Sequence, residues 1–511
     1  MGLPIPRAVY VDYKLTTGTQ IVATPPPICG GNHGVFTMLS YRHKTGLTLC
    51  DGMSRREWLR VGGIGLGGLS LSSLLNNRTL AADRRAPADR STSFGKAKSV
   101  IVFNLNGGVP QHETWDPKPN APEDIRGEFG VTSTATPGYH IGELMPQVAK
   151  LTDRLAVLRA VVTHDNNHSS SGYQMLTGVE HIPLSRENSL PVPPNVSPSL
   201  AAMVRALRKD KGLPSAMVIP EHIWNNGNIP WPGQMAGLLG HRHDPWLIKC
   251  HPQEDRFDVP GMSLPEDISS NRVLNRKTLL DQINQQDHSL QGENVVQDFQ
   301  RHTQKAFDLL GAGPTRNAFD LSTESVATRD RYGRSRFSQS CLLARRLVES
   351  GVSLVQVNWT RVIDENKYEN SGGWDTHKKH NQSLKTHLMP VMDQTLSALI
   401  EDLEQRGMLD ETLVLIQSEF GHTPKFNARA GRDHWGSAFS IAMAGGGIQG
   451  GVVHGLTDAQ AAFPVDEIVR PRDILATVFH LLGYEPHTEI RDPLNRPIRI
   501  SHGKVINNIL A

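Results

Sequence analysis

Short apolar runs alternate with helix-spaced segments along this chain, and that alternation restricts its fold more than any other feature. Ser99–Leu105 (SVIVFNL) is a mostly apolar run ending in Asn106-Gly107-Gly108. Such a run, closed by a tight loop, reads as a strand buried on both faces. Leu144, Val148, Leu151 and Leu155 share one helical face, which predicts a helix over Leu144–Leu158. Phe337–Ser350 has helical spacing and stops at Gly351, a natural residue to follow a helix. Ser353–Trp359 follows as a strand. Leu384, Leu388, Val391, Leu396, Leu399 and Leu403 outline a long amphipathic helix that ends at Gly407, with a kink expected at Pro390. Thr412–Gln417 and Phe439–Ala444 read as further strands, and Asp473–Leu482 as a helix capped by Asp473 and followed by Gly483. The pattern predicts an α/β fold, a doubly wound, mostly parallel sheet with helices on both faces. Residues 180–300, heterogeneous and rich in proline near Pro191–Pro198, read as an insertion over one edge of the core.

The N-terminal region has a different character. Ser54–Leu75 (SRREWLRVGGIGLGGLSLSSLL) opens with paired arginines and continues into a glycine-diluted apolar stretch. Ala81 and Ala82 then offer a cleavage point. A charged start, an apolar middle and a small-residue exit make an export signal, and the arginine pair marks the twin-arginine route for folded cargo. The apolar run is shorter than the about 20 residues of a membrane span, so no stable transmembrane anchor is expected. Residues 1–53 read as an irregular extension, either genuine or the product of a start placed upstream of Met38. Residues 54–82 are the signal segment, 83–97 a polar linker and 98–505 the folded domain, which places the protein outside the cytoplasm, in the periplasm or beyond.

Four polar clusters fall just past strands or open a helix. They are Asn106 through His112, Glu113 and Asp116; His164 through Ser171; Trp374-Asp375-Thr376-His377; and Ser418-Glu419-Phe420-Gly421 with Arg432-Asp433-His434-Trp435. Ligands in doubly wound sheets sit beyond the carboxyl ends of the strands. Carboxylates and imidazoles gathered there make a divalent metal site. Each cluster also has a plainer reading: Glu419 as a helix cap, Asp375 in an Asx-turn, Arg432 and Asp433 as a salt bridge. A net charge of +2 gives no electrostatic case for nucleic acid. Only Cys250 and Cys341 follow the signal, so at most one disulfide is available to the domain.

At these residues the chain resembles the bacterial domain of unknown function 1501 family, of the type common in planctomycetes. The resemblance rests on CDGMSRREWLRVGGIGLGGLSL, NGGVPQHETWDPKP, HSSSGYQMLTG, GGWDTH, SEFGHTP, GRDHW and MAGGGIQGG. That family is similar to the alkaline-phosphatase-like superfamily, which includes the sulfatases. The resemblance implies a metal set of Asn106, Asp375, His377, Glu419 and His434. HSSSGYQMLTG resembles the sulfatase nucleophile helix, with His168 where the formylglycine-forming Cys stands and Gly172 in place of the motif's Arg. His422 stands where the family commonly has Arg.

These readings make the chain an exported metal-dependent hydrolase of phosphate or sulfate esters. His168 would serve as acid/base or ligand, Ser169 or a water as nucleophile, and Arg432 as the group that steadies the anion. Zinc is the favoured metal, with calcium or magnesium as alternatives. The expected partners are a small-molecule or polysaccharide ester substrate and the twin-arginine export machinery. The alternative is a non-catalytic protein that binds metal or polysaccharide on the same fold.

Overall fold

Strand β1 (Ser99–Asn104) explains the architecture. All six of its residues are buried. Ile101 and Phe103 enter one apolar cluster, and Val100 and Val102 enter another. Successive strand side chains point to opposite faces, so a strand apolar at every position must lie between two covering layers. The same split holds at Val414/Ile416 against Leu413/Leu415.

The computed structural model describes residues 92–225, 229–255, 257, 259, 270–286, 317–360 and 372–511. They lie within one unit, Asp89–Ala511. The extension 1–53 and the signal segment 54–82 lie outside the described residues.

The other strands of the central sheet are β2 (Leu155–Val161), β3 (Ala216–Ile219), β4 (Trp246–Leu247), β5 (Leu354–Asn358), β6 (Thr412–Gln417), β7 (Phe439–Ala444) and β8 (Val452–His454). Their order across the sheet is β8-β2-β7-β6-β1-β5-β3-β4. β1 runs parallel to both β5 and β6, and β8 parallel to β2. β7 alone runs against its neighbours, pairing antiparallel with β2 and β6. The sheet is therefore mostly parallel, as the alternation of strands and helices predicts.

Five helices matter for the site and its support. They are α1 (His168–Thr177), α2 (Leu200–Leu207), α3 (Arg336–Glu349), α4 (Met389–Gln405) and α5 (Pro471–Leu481). α3 and α4 cover one face of the sheet through Leu342, Leu343, Leu396 and Leu399. α2 and α5 cover the other through Ala201, Val204, Ile474 and Val478. α3 starts on Ser335, whose Oγ accepts the N–H of Ser338 at 3.0 Å. Gly351 follows it with φ of +95°, a left-handed conformation that suits glycine.

Three expectations need correction. Leu144–Leu158 is not one helix: Val148–Arg154 is a 3-10 helix, and Leu155–Val161 is β2. Leu155 matches the helical spacing by position, but its φ of −107° and ψ of 143° are those of a strand. The long C-terminal helix contains a π-turn at Leu384–Leu388, directly before Pro390. Proline lacks an N–H and crowds the carbonyl four residues earlier, and the wider turn relieves that crowding. α5 opens at Pro471, two residues before the expected cap. Asp473 acts from the third helical position, where Oδ2 accepts the N–H of Arg470 at 3.1 Å.

The 180–300 region extends the sheet at one edge through β3 and β4. The end of the polar linker packs as well, since the N–H of Ala97 donates to the Leu481 carbonyl at 2.9 Å. Cys250 and Cys341 are both buried free thiols.

Phe103 is fully buried and meets Phe337 edge-on, with ring centroids 4.7 Å apart. Truncating it removes the contact that joins β1 to α3. Phe103→Ala is expected to lower unfolding free energy by about 3–5 kcal/mol, read by urea denaturation.

Candidate metal centre

Four strand ends supply the site. β1 leads into Asn106–Asp116, β2 into the loop that begins α1 at His168, and β6 into Ser418–Glu419; the segment after β5 carries Asp375 and His377. A two-residue antiparallel ladder, Gly421–His422 with His434–Trp435, brings His434 back to the same edge.

Three imidazoles converge on the carboxylate of Asp375. His434 Nε2 lies 2.9 Å and His377 Nε2 3.0 Å from Oδ1. His168 Nε2 lies 3.4 Å from Oδ2 and has no hydrogen-bond partner among the described residues. Each Nδ1 faces outward to an acceptor. His168 Nδ1 is 2.7 Å from Glu419 Oε1, and His377 Nδ1 is 2.6 Å from Asp433 Oδ1. His434 Nδ1 is 2.8 Å from the Asn166 carbonyl. Asn427 Nδ2 in turn donates to Asp433 Oδ1 at 2.9 Å. In a neutral ring, Nδ1–H donation to the outward acceptor leaves the Nε2 lone pair directed to the centre. This is the outer-sphere pattern that orients metal-binding histidines.

The donor set fits a divalent cation. One ligand atom from each of His168, Asp375 and His434 lies within 4.8 Å of the others. The buried Oδ1 of Asn106 also has no partner among the described residues. The electrostatics favour the same conclusion. Burial opposes charge on Asp375, yet His168, His377 and His434 hold its carboxyl well below the usual range. Burial opposes charge on His168, but the carboxylates of Asp375 and Glu419 raise it to about 10. His377 is raised too, by Asp375 first and Asp433 next. Protons now hold positions that a cation can take, so cation and proton compete.

A second, fully buried layer lies beneath. Arg432 donates to Glu113 Oε1 through Nε at 3.0 Å and Nη2 at 2.5 Å. His380 Nε2 is 3.4 Å from Glu113 Oε2. Despite burial, Arg432 and then His380 keep the Glu113 carboxyl far below the carboxylate range. His422 is buried with neither ring nitrogen partnered among the described residues, and burial keeps it neutral.

The expected site residues separate accordingly. Asp375, His377 and His434 come together, joined by His168. Glu419 stands one step behind, with Oε1 shared between His168 Nδ1 and the N–H of Gly107 at 2.8 Å. Asn106 adjoins through Gly107, whose φ is +122° and where a Cβ would fall 2.6 Å from the Asp375 nitrogen. Only glycine permits that approach. Ser169 is directed elsewhere: its Oγ accepts from Asn225 Nδ2 at 2.7 Å and from the Ser189 N–H at 3.2 Å. Arg432 is fully buried, and its donors go to Glu113 and to the carbonyls of Ile125, Thr423 and Pro424. Adjacent Arg432 and Asp433 do not pair, because Asp433 belongs to His377.

Sequence reasoning missed Trp231. Its ring stacks on His168 with centroids 5.7 Å apart, and a Cβ at Gly172 would fall 2.4 Å from it. Trp231 therefore occupies the space beside Gly172. No local pattern signals this, because the partners meet only in the fold. The orienting role of Asn166 was equally hidden, since it acts through its backbone carbonyl.

The family described as "Protein of unknown function (DUF1501)" matches residues 97–510. The chain belongs to this family. No curated protein matches it in sequence. Among solved structures, the phosphonate monoester hydrolase of Silicibacter pomeroyi is similar at 13% identity and a TM-score of 0.33, covering 80% of this chain and 76% of that one. The PsFucS1 sulfatase of Pseudoalteromonas sp. is 13% identical with a TM-score of 0.35, covering 80% and 70%. A protein of the alkaline phosphatase superfamily from Vibrio parahaemolyticus is 11% identical with a TM-score of 0.34, covering 87% and 80%. Likeness at these scores carries no statement about activity.

His168 makes a test of the charge balance. Its folded pKa of about 10 lies above the ordinary 6.5. Its contribution to stability is complete below 6.5 and is lost as pH rises toward 10. In chelator-treated protein the melting temperature is expected to fall across that window, and the fall to be smaller in His168→Gln, read by calorimetry.

Proposed function

We propose that this chain is an exported, metal-dependent hydrolase of phosphate or sulfate esters. The observation that carries this reading is the convergence of His168, His377 and His434 on Asp375, each ring anchored from behind. Asp375, His377, His434 and His168 would hold the cation, with Asn106 Oδ1 adjoining. Imidazole with carboxylate suits zinc first; calcium or magnesium would need more oxygen ligands. A divalent cation supplies Lewis-acid charge to the ester's oxygens when bound.

The chain's own groups limit the chemistry. Position 168 is His, so a formylglycine route has no cysteine to start from. Ser169 Oγ is engaged by Asn225 and Ser189, which favours water as the nucleophile. Water adds its oxygen to phosphorus or sulfur, the ester bond breaks, and the leaving oxygen takes a proton to become an alcohol. Glu419 holds His168 in place for this reaction. Arg432 contributes to the fold through Glu113 and does not steady the anion.

The engaged Ser169 and the buried Arg432 also favour the second reading, a binding protein on the same fold. A turnover panel of aryl phosphates and sulfates separates the two. Zinc-loaded, folded protein is expected to turn over at least one class. A folded, loaded protein that is silent on every ester would leave only the binding reading. Asp375→Ala is expected to lose zinc and reduce turnover to background. Asp433→Asn, which disturbs the acceptor shared by His377 and Asn427 without touching a ligand atom, is expected to weaken zinc affinity about 10–100-fold, read by competition with a chromophoric chelator.

Export rests on Ser54–Leu75, and among the described residues no helix is long and apolar enough to cross a membrane. Replacing Arg55 and Arg56 together by Lys is expected to retain the full-length precursor in the cytoplasm. Fractionation of cells expressing both forms checks this, and equal export of the two would remove the twin-arginine assignment.

A further inference from the structure

A cavity of about 270 Å³ lies between the end of β2, the last turn of α1 and the start of α5. His164, Arg470, Arg472 and His502 bring positive or protonatable groups to it. Glu180 is the one carboxylate in its lining. Neither Arg470 nor Arg472 makes a side-chain ion pair with any described residue, and both are exposed. Pro471 opens α5 here, so the positive end of that helix dipole faces the same space.

A second observation is independent of the charges. Gln174 lines the cavity from α1 and is only 3% exposed, yet its Nε2 has no hydrogen-bond partner among the described residues. A buried amide donor without a partner costs about 1–3 kcal/mol. A turn of the amide toward the cavity would let it donate to an oxyanion there.

The cavity continues into a wider one of about 590 Å³, which shares Arg470, Arg472 and His502 and adds Lys504. Glu467 and Asp473 add carboxylates to the wider cavity, each held by hydrogen bonds. Glu467 pairs with His454 at 2.9 Å, and Asp473 accepts the N–H groups of Arg470 and Lys504. Within the smaller cavity Arg470 and Arg472 exceed Glu180 by one positive charge.

One loop joins this groove to the metal centre. His164 lines the cavity, and His168, four residues on, faces Asp375. Extended chain spans at most about 3.6 Å per residue, so the two Cα positions lie within about 14 Å. His164 has φ of +55°, and Asn166 in the same loop accepts from His434 and from the Gly436 N–H. The loop therefore presents one side to the groove and the other to the centre.

We propose that this groove is a second anion subsite, which binds a sulfate or phosphate group on another unit of an oligosaccharide whose reacting ester lies at Asp375. The proposal rests on the ester-hydrolase reading and names its substrate class: a polyanionic saccharide with more than one charged ester. Guanidinium forks suit tetrahedral oxyanions, and Arg470 and Arg472 supply two.

The test is calorimetric titration of the full folded domain carrying Asp375→Ala, which removes turnover. The probes are a sulfated tetrasaccharide, a phosphorylated one, the same tetrasaccharide without charged groups, and inorganic sulfate. The sulfated or the phosphorylated form is expected to bind, and whichever binds more tightly identifies the anion. The uncharged form is expected not to bind, and inorganic sulfate to bind at least ten-fold more weakly. Adding Arg470→Ala and Arg472→Ala is expected to weaken tetrasaccharide binding at least ten-fold and flatten its salt dependence, with an unchanged melting temperature. Gln174→Leu gives a second, uncharged probe of the cavity and is expected to weaken the same binding. Tetrasaccharide affinity insensitive to the arginines, or absent altogether, overturns the proposal. A wild-type protein silent on all esters while this binding persists would remove the hydrolase reading and leave the subsite standing.

Discussion

The carboxylate of Glu419 joins three parts of the chain at the end of the central strand. Its Oε1 receives the N–H of Gly107 from the β1 loop and faces Nδ1 of His168 at the start of α1. Its backbone carbonyl accepts Ser171 Oγ at 2.6 Å. A carboxylate buried this deeply is costly unless donors surround it. The donors it recruits fix the β1 loop and α1 against β6. Everything at the edge of the sheet is positioned relative to that anchor, including the imidazole that reaches Asp375.

Charge is arranged in two layers. The outer layer combines Asp375, Asp433 and Glu419 with three histidines and runs from buried Glu419 and His168 to half-exposed Asp433. The inner layer pairs Glu113 with Arg432 and His380, sealed from water. The inner pair serves geometry: Arg432 ties the loops at Ile125, Thr423 and Pro424 together. Removing one member of such a buried pair strands the other. The inner layer thus supports the outer without sharing its ligands.

Much of the fold was legible because burial on both faces writes itself into composition. SVIVFNL, TLVLIQ and the run at Phe439–Ala444 are all strands for that reason. Leu144–Leu158 was not legible, because a spacing of apolar residues carries no mark where a 3-10 turn hands over to a strand. Asp375, His377 and His434 could be assembled from loop position and family motifs. The roles of Ser169 and Arg432 could not, since partners far along the chain decide them. Arg432 meets Glu113, 319 positions away, rather than its neighbour Asp433. Trp231 and the groove at Arg470–Arg472 carry no motif at all and exist only as packing.

The order in which the site can form follows from its connectivity. Gly107 and Glu419 are 312 residues apart, and His168 and Glu419 251 apart. Closing loops of that size costs entropy before any contact repays it, so such pairings form late. No fragment short of β1 through His434 contains the centre. The growing chain can therefore offer isolated imidazoles to passing ions but no organised site until synthesis is nearly complete. For this molecule, possession of a preorganised centre marks a finished fold. Whatever machinery meets the protein with its centre assembled meets it already folded.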